Sequence, residues 1–267
     1  KRLSIQTEEF SPPEKIKGTV RVHCGYHKCL TMYFREVFSK IVKYIKPFKG
    51  TYRHFYHRLN EFNLDCSEYT ISSISGAYIN PDNFEDIKIT RFIRDPRDLI
   101  ISGYFYHKRS GEDWCDHYEP TNIDWAIVNG NVPQSLPKGM TFAQYLNNVS
   151  LEEGLLAEIE FRKYHFESML QWPDNDERIK TFRYEDIMND QVKCFQDIFD
   201  FYEVPFWAKI RGKSYAKKYS VSKRKGKSKH IRNPSSGQWR KYFTPALHKT
   251  FNENYEDLLT KLGYPIE

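Results

Sequence analysis

The sequence predicts a single α/β domain, residues 1–267, with a central parallel sheet flanked by helices and a P-loop-like strand–loop–helix site near its start. Two observations carry this. Strand-like runs followed by a loop and an amphipathic helical run occur three times in succession, the order that produces a parallel sheet with crossover helices. The chain is also long enough to bury one large core: 39% of its 267 residues are hydrophobic, with 19 Tyr and 19 Phe. It contains no internal repeat and no low-complexity tract.

The first unit begins with "TVRVHC" (19–24), whose alternation reads as a strand. From 33 to 45, Tyr33/Phe34, Val37/Phe38, Ile41/Val42 and Ile45 then recur at helical spacing. The second is "IKITRFI" (87–93), which runs through "RDPRD" into an apolar segment at 99–106, with a helix start expected near Pro96. The third is "RIKTFRYED" (178–186), followed by the stripe Val192, Phe195, Ile198/Phe199 and Tyr202. Between these units one helix is predicted over 151–171, opened by a Ser150/Glu153 capping box and carrying Leu155, Ile159, Phe166 and Met169/Leu170 on one face. Its acidic residues Glu152, Glu153, Glu158 and Glu160 read as a solvated face. A last helix after Pro245 ends at Gly263 and Pro265. Residues 110–140 and 212–238 lack periodicity and read as functional or mobile loops.

Composition narrows the function classes. Forty-one Lys and Arg against 35 Asp and Glu leave a formal charge of +6, compatible with nucleic acid, an acidic lipid surface or an anionic small ligand. The five cysteines (Cys24, Cys29, Cys66, Cys115, Cys194) are odd in number and form no CxxC pair, which argues against a disulfide scaffold and a zinc site and fits a reducing cytoplasm. No apolar run is long enough to support a membrane anchor.

The chemistry lies in the loops. "HCGYHKCLTMYF" (23–34) joins a strand to a helix, where backbone N–H groups and the positive end of the helix dipole converge on one point. Gly25 permits a sharp turn, Lys28 adds a full charge and Thr31 a hydroxyl. It is not a Walker A motif, because GxxxxGK[ST] is absent. In "RFIRDPRDLIISGYF", Arg94 ends a strand and Ser102 follows eight residues later, a guanidinium and a hydroxyl suited to a terminal phosphate. Arg94 could equally pair with Asp95 or Asp98.

These motifs resemble those of the sulfotransferases that use 3′-phosphoadenosine 5′-phosphosulfate (PAPS). "HKCLTMY" resembles their phosphosulfate loop "PKSGTTW", and "FIRDPRDLIIS" their 3′-phosphate motif "RNPKDxxxS" with the same Arg-to-Ser gap. "FRYEDI" (182–187) resembles "FYEDM", and "IRNPSSGQWRKYFT" (231–244) resembles "RKGxxGDWKNxFT". The resemblance implies transfer of a sulfuryl group from PAPS to a hydroxyl or amine of a small-molecule or sugar-like acceptor, yielding adenosine 3′,5′-bisphosphate (PAP). It implies no metal, no nucleic acid and no membrane.

By the same resemblance, Lys28 contacts the leaving phosphate and the sulfuryl group, and the backbone of Cys29, Leu30, Thr31 and Met32 with the Thr31 hydroxyl cradles the 5′-phosphate. Tyr33 and Tyr184 flank or bond the adenine, with Tyr215 as a second stacking ring. Arg94, Ser102 and Arg232, with Asn233 and the Pro234 backbone, grip the 3′-phosphate. The run "KRKGKSKHIR" (223–232) resembles the loop that closes over PAPS.

Two departures stand out. Leu30 occupies the position of the loop glycine, and the family's "KTH" histidine base has no counterpart, since the corresponding "ISSISG" (71–76) holds no histidine. His54 and His57 are the candidate bases, while His27 and His107 read as structural. Two other readings stay open at this level: a nucleotide-dependent phosphotransferase and a basic nucleic-acid-binding module.

Overall fold

The computed structural model describes residues 14–46, 50–109, 112–224 and 232–267. Five strands, β1 (Ile16–Gly25), β2 (Tyr52–His54), β3 (Ile71–Ser75), β4 (Phe84–Ile93) and β5 (Ile179–Arg183), form one sheet in the order β2-β3-β1-β4-β5. Every pairing is parallel. Helices α1 (Thr31–Ile45), α2 (Leu59–Asp65) and α3 (Pro96–His107) follow β1, β2 and β4. The long connection to β5 holds α4 (Phe142–Asn148), α5 (Leu151–Phe161) and α6 (Lys163–Leu170). After β5 come α7 (Tyr184–Asn189), α8 (Gln191–Phe201), α9 (Phe206–Lys218), α10 (Val221–Arg224), α11 (Trp239–Tyr242) and α12 (Pro245–Leu262).

The three expected strand–loop–helix units are β1–α1, β4–α3 and β5 with α7 and α8. Helices pack on both faces, so the inner strands are buried on each side, as parallel sheets require. One core includes Phe34, Phe38, Phe92 and Phe195; the other includes Val20, Val22, Ile74, Ile89 and Trp172. Chain order sends β3 and β2 to one side of β1 and β4 and β5 to the other, so a crevice opens at the carboxyl ends of β1 and β4. Both phosphate-type loops rise from those two ends.

Two strands lie outside the sequence reading, and several expectations are corrected. Strands β2 and β3 carry no apolar alternation: Ser72 and Ser73 are buried in β3, and the Ser73 hydroxyl bonds the Tyr52 hydroxyl and His54 Nδ1. The predicted 151–171 helix is two helices, α5 and α6, broken at Arg162 (φ −86°, ψ 3°), although its capping box is present. Glu158 does not face solvent. It is fully buried and pairs with Arg162 and His107. Residues 212–218 are helical within α9, whose buried face is Ala208, Gly212 and Ala216. Such small residues let the helix approach closely, a Cβ on Gly212 falling 2.5 Å from the Phe199 ring, and they leave no large apolar stripe to read.

Candidate active site

The loop after β1 turns through two left-handed residues, Lys28 (φ 70°) and Leu30 (φ 58°). The position where the resembling loops carry glycine therefore keeps the backbone that favours glycine, here at a leucine and at a cost of about 1–2 kcal/mol. Two features hold it there. The Leu30 side chain packs on the core, and its carbonyl accepts from the N–H groups of Tyr33 (2.9 Å) and Phe34 (3.1 Å). Among the described residues, α1 has no side-chain cap and no acid in its first turn, so its positive end is open to an anion. The Thr31 hydroxyl donates to the Tyr26 carbonyl at 3.3 Å, and a Cβ on Gly25 would stand 3.2 Å from that oxygen.

Lys28 places its ammonium 3.5 Å from the centre of the Tyr106 ring. Burial lowers its pKa to about 7, and the positive charges of Arg162, Arg109 and Arg94 push the same way while Glu112 opposes them. An anion arriving at this point would restore the charge.

The second loop separates the roles of its two arginines. Arg97 is fully buried, holds Asp95 with two bonds (3.0 and 2.8 Å) and lies 3.6 Å from the Trp239 ring. The Asp98 carboxylate accepts from the N–H groups of Gly237 (2.7 Å) and Trp239 (3.1 Å), which ties the C-terminal motif to α3. Arg94 makes a 3.7 Å approach to Asp98, a long 3.4 Å hydrogen bond from Nη2 to the Ser235 carbonyl and a stacking contact on Tyr184 at 4.1 Å. Its buried Nε has no hydrogen-bond partner among the described residues. Arg232 stacks on Phe105 at 4.0 Å and donates to Gln238.

One cleft gathers Lys28, Leu30, Thr31, Met32, Tyr33, Arg94, Ser102, Tyr184, Arg232 and Asn233 along its wall, with His54. Cys29 points into the core, so only its backbone belongs to the loop. Pro234 contributes its carbonyl, which accepts from the Tyr184 hydroxyl at 2.8 Å. The Tyr33 hydroxyl is likewise engaged, donating to the Ala216 carbonyl, so both tyrosines present ring surface rather than a free hydroxyl. Tyr215 is not on the cleft wall. It stacks on Tyr219, one turn further along α9, and Tyr219 lines the cleft. His57 is also off the wall, with Nδ1 3.2 Å from the Ser75 carbonyl. Most of the 223–232 run lies outside the described residues; Arg224 at its edge lines the cleft. The sequence reading missed Arg35, Arg109 and His165 in the wall, because they come from elements distant in sequence.

A parallel α/β sheet with an uncapped helix N-terminus, a half-buried lysine and two arginines beside its switch point makes a site suited to anions. The chain belongs to the sulfotransferase domain family, which matches residues 4–263. Its fold is similar to that of mouse sulfotransferase SULT7A1 complexed with PAP, at 17% identity over 92% of this chain and 86% of that one, with a TM-score of 0.55. It is also similar to retinol dehydratase in a complex with retinol and PAP, at 15% identity over 89% and 80%, with a TM-score of 0.51. No curated protein matches the sequence significantly. None of the helices among the described residues is long and apolar enough to cross a membrane.

Proposed function

We propose that the chain, acting as one sulfotransferase-like domain in the cytoplasm, moves a sulfuryl group from PAPS to a hydroxyl or amine of a small-molecule or sugar-like acceptor, without a metal. The observation that carries this reading is the convergence of Lys28, Arg94 and Arg232 with the open N-terminus of α1 on one cleft. The buried, unpartnered Arg94 Nε is a donor in want of an acceptor, which fits a phosphate.

PAPS, when bound, supplies the activated sulfuryl group. The backbone N–H groups at Leu30, Thr31 and Met32, with the Thr31 hydroxyl, hold its 5′-phosphate; Arg94, Ser102, Arg232 and Asn233 hold its 3′-phosphate. Tyr33 and Tyr184 offer ring faces to the adenine, and Tyr219 replaces Tyr215 as the further ring. Lys28 neutralises charge on the leaving oxygen. Catalysis here resembles phosphoryl transfer, where positioning and electrostatics dominate. Of the two histidines offered as base, only His54 borders the cleft.

PAP should raise the melting temperature. At a hundredfold excess over Kd the stabilisation is about 2.7 kcal/mol, or roughly 5–10 °C for a chain of this size. No shift at saturation would sink the reading.

PAP affinity should also depend on pH through Lys28. The free protein loses the Lys28 proton near pH 7, and the bound anions favour its retention. Between about pH 7.5 and 9, where phosphates are fully ionised, affinity should fall as pH rises, with proton uptake on binding. Calorimetry in buffers of different ionisation enthalpy measures that uptake; none would mean that Lys28 does not meet the ligand.

A further inference from the structure

Three side chains from separate elements form one line from the interior to the cleft. Glu158 of α5 is fully buried, and its carboxylate lies 2.8 Å from His107 Nδ1 and 3.0 Å from Arg162 Nε. His107, fully buried in α3, places Nε2 3.1 Å from Nε2 of His27. His27 lines the cleft next to Lys28. Arg162 Nη1 donates to the His27 carbonyl at 3.4 Å, which ties the far end of the line back to its cleft end. Gly103 of α3 makes the room: a Cβ there would stand 1.8 Å from Glu158 Oε1.

The bonding order assigns the protons. A carboxylate only accepts, so His107 carries hydrogen on Nδ1 and presents a lone pair at Nε2. His27 must then donate from Nε2, which leaves the lone pair on its Nδ1. Among the described residues that nitrogen has no hydrogen-bond partner.

We infer that His27 is a catalytic residue of the sulfuryl transfer proposed above, on which this inference rests: Nδ1 takes the acceptor's proton while the Nε2 proton passes to His107, and Glu158 is a positioning residue. The acceptor O–H bond breaks and its electron pair forms the new bond to sulfur. The sulfur–oxygen bond to phosphate breaks, and its pair leaves on the bisphosphate beside Lys28. No group is oxidised or reduced.

The relay has an electrostatic reason. Burial, then His107, Lys28, Arg162 and His165, hold His27 far below the usual imidazole range, so the ring is neutral and a poor home for a positive charge. Passing a proton to His107 moves that charge away from Lys28 and onto a ring bonded to a carboxylate. His54 lacks such support: its Nδ1 meets the Ser73 hydroxyl at 2.8 Å, and burial with Arg35 lowers its pKa to about 3. His27 and His107, read from the sequence as structural, thus have a chemical role.

The test has two arms. In the PAP-bound protein, heteronuclear NMR of the imidazole nitrogens should find the proton on Nε2 of His27 and on Nδ1 of His107; a His27 protonated at Nδ1 overturns the inference and needs no acceptor to be seen. With PAPS as donor and phenol as probe acceptor, whose hydroxyl stays protonated at neutral pH, His27→Ala should lower kcat by about 10²–10⁴-fold, more than His54→Ala does, while keeping the PAP-induced melting shift. Added imidazole should restore part of the rate. Glu158→Gln should lower kcat less and displace the limb of the pH–rate profile that reports the base, a change that a packing role would not produce. Retained turnover in His27→Ala, the reverse order of the two alanine variants, or loss of PAP binding in His27→Ala overturns the role of His27. Absence of a PAP shift in the unaltered protein instead overturns the parent reading.

Discussion

Sulfuryl-transfer turnover is expected to fall by about 10²–10³-fold in Lys28→Ala, the loss that follows removal of one preorganised charge donor from a reacting centre. The ammonium is suited to that task because it sits in the loop that opens α1, over the Tyr106 ring and largely out of water. Stability should not fall with activity. Burial, then Arg162, Arg109 and Arg94, disfavour the charge against a smaller opposing pull from Glu112, so its removal relieves desolvation and repulsion. The sign fixes the pH window. A lysine whose folded pKa is lowered carries its full penalty below about pH 7, and that penalty fades as pH rises toward the unfolded value. The melting temperature of Lys28→Ala should therefore hold or rise, most visibly near pH 6. Turnover close to that of the unaltered chain would remove Lys28 from the mechanism.

The two arginines of "RDPRD" should respond in opposite ways. Arg97→Ala leaves the buried Asp95 without its bidentate partner, and breaking a buried pair in this manner costs about 3–5 kcal/mol. Its melting temperature should drop by about 6–20 °C. Arg94→Ala breaks no comparable bond, because Asp98 is already satisfied by Gly237 and Trp239. Its stability should change little, while the affinity for PAP falls roughly 10- to 150-fold with the loss of a charge-assisted bond worth about 1.5–3 kcal/mol. Thermal melts and PAP titrations of the two variants measure both halves. If Arg94→Ala were the unstable variant and Arg97→Ala the weak binder, the assignment of the loop would be inverted.

Legibility in the sequence followed the range of the interactions. Units β1–α1, β4–α3 and β5–α8 could be read because large apolar residues recur at the period of each element. The phosphate-type loops could be read because their chemistry is carried by near neighbours, Gly25 to Thr31 and Arg94 to Ser102. Strand β3 escaped because two of its four buried positions are serines, Ser73 being bonded to β2, and α9 because its packed face is Ala208, Gly212 and Ala216. Arg162 was hidden inside an unbroken apolar stripe, although it ends one helix and starts another.

Leu30 marks the boundary within a single loop. The sequence named it as the residue standing in a glycine's place; only the folded backbone established that the left-handed turn is kept and that core packing holds it. The same division holds for the whole protein. Sequence by itself determined the α/β class, the order of the phosphate loops and the family they resemble, since these depend on periodicity and local spacing. Tertiary structure decided which arginine lines the cleft and which braces the loop, which histidines reach the cleft, and that Glu158 lies buried behind His107 and His27. Those outcomes depend on burial and on pairing between residues far apart in the chain, and both exist only once the elements have packed.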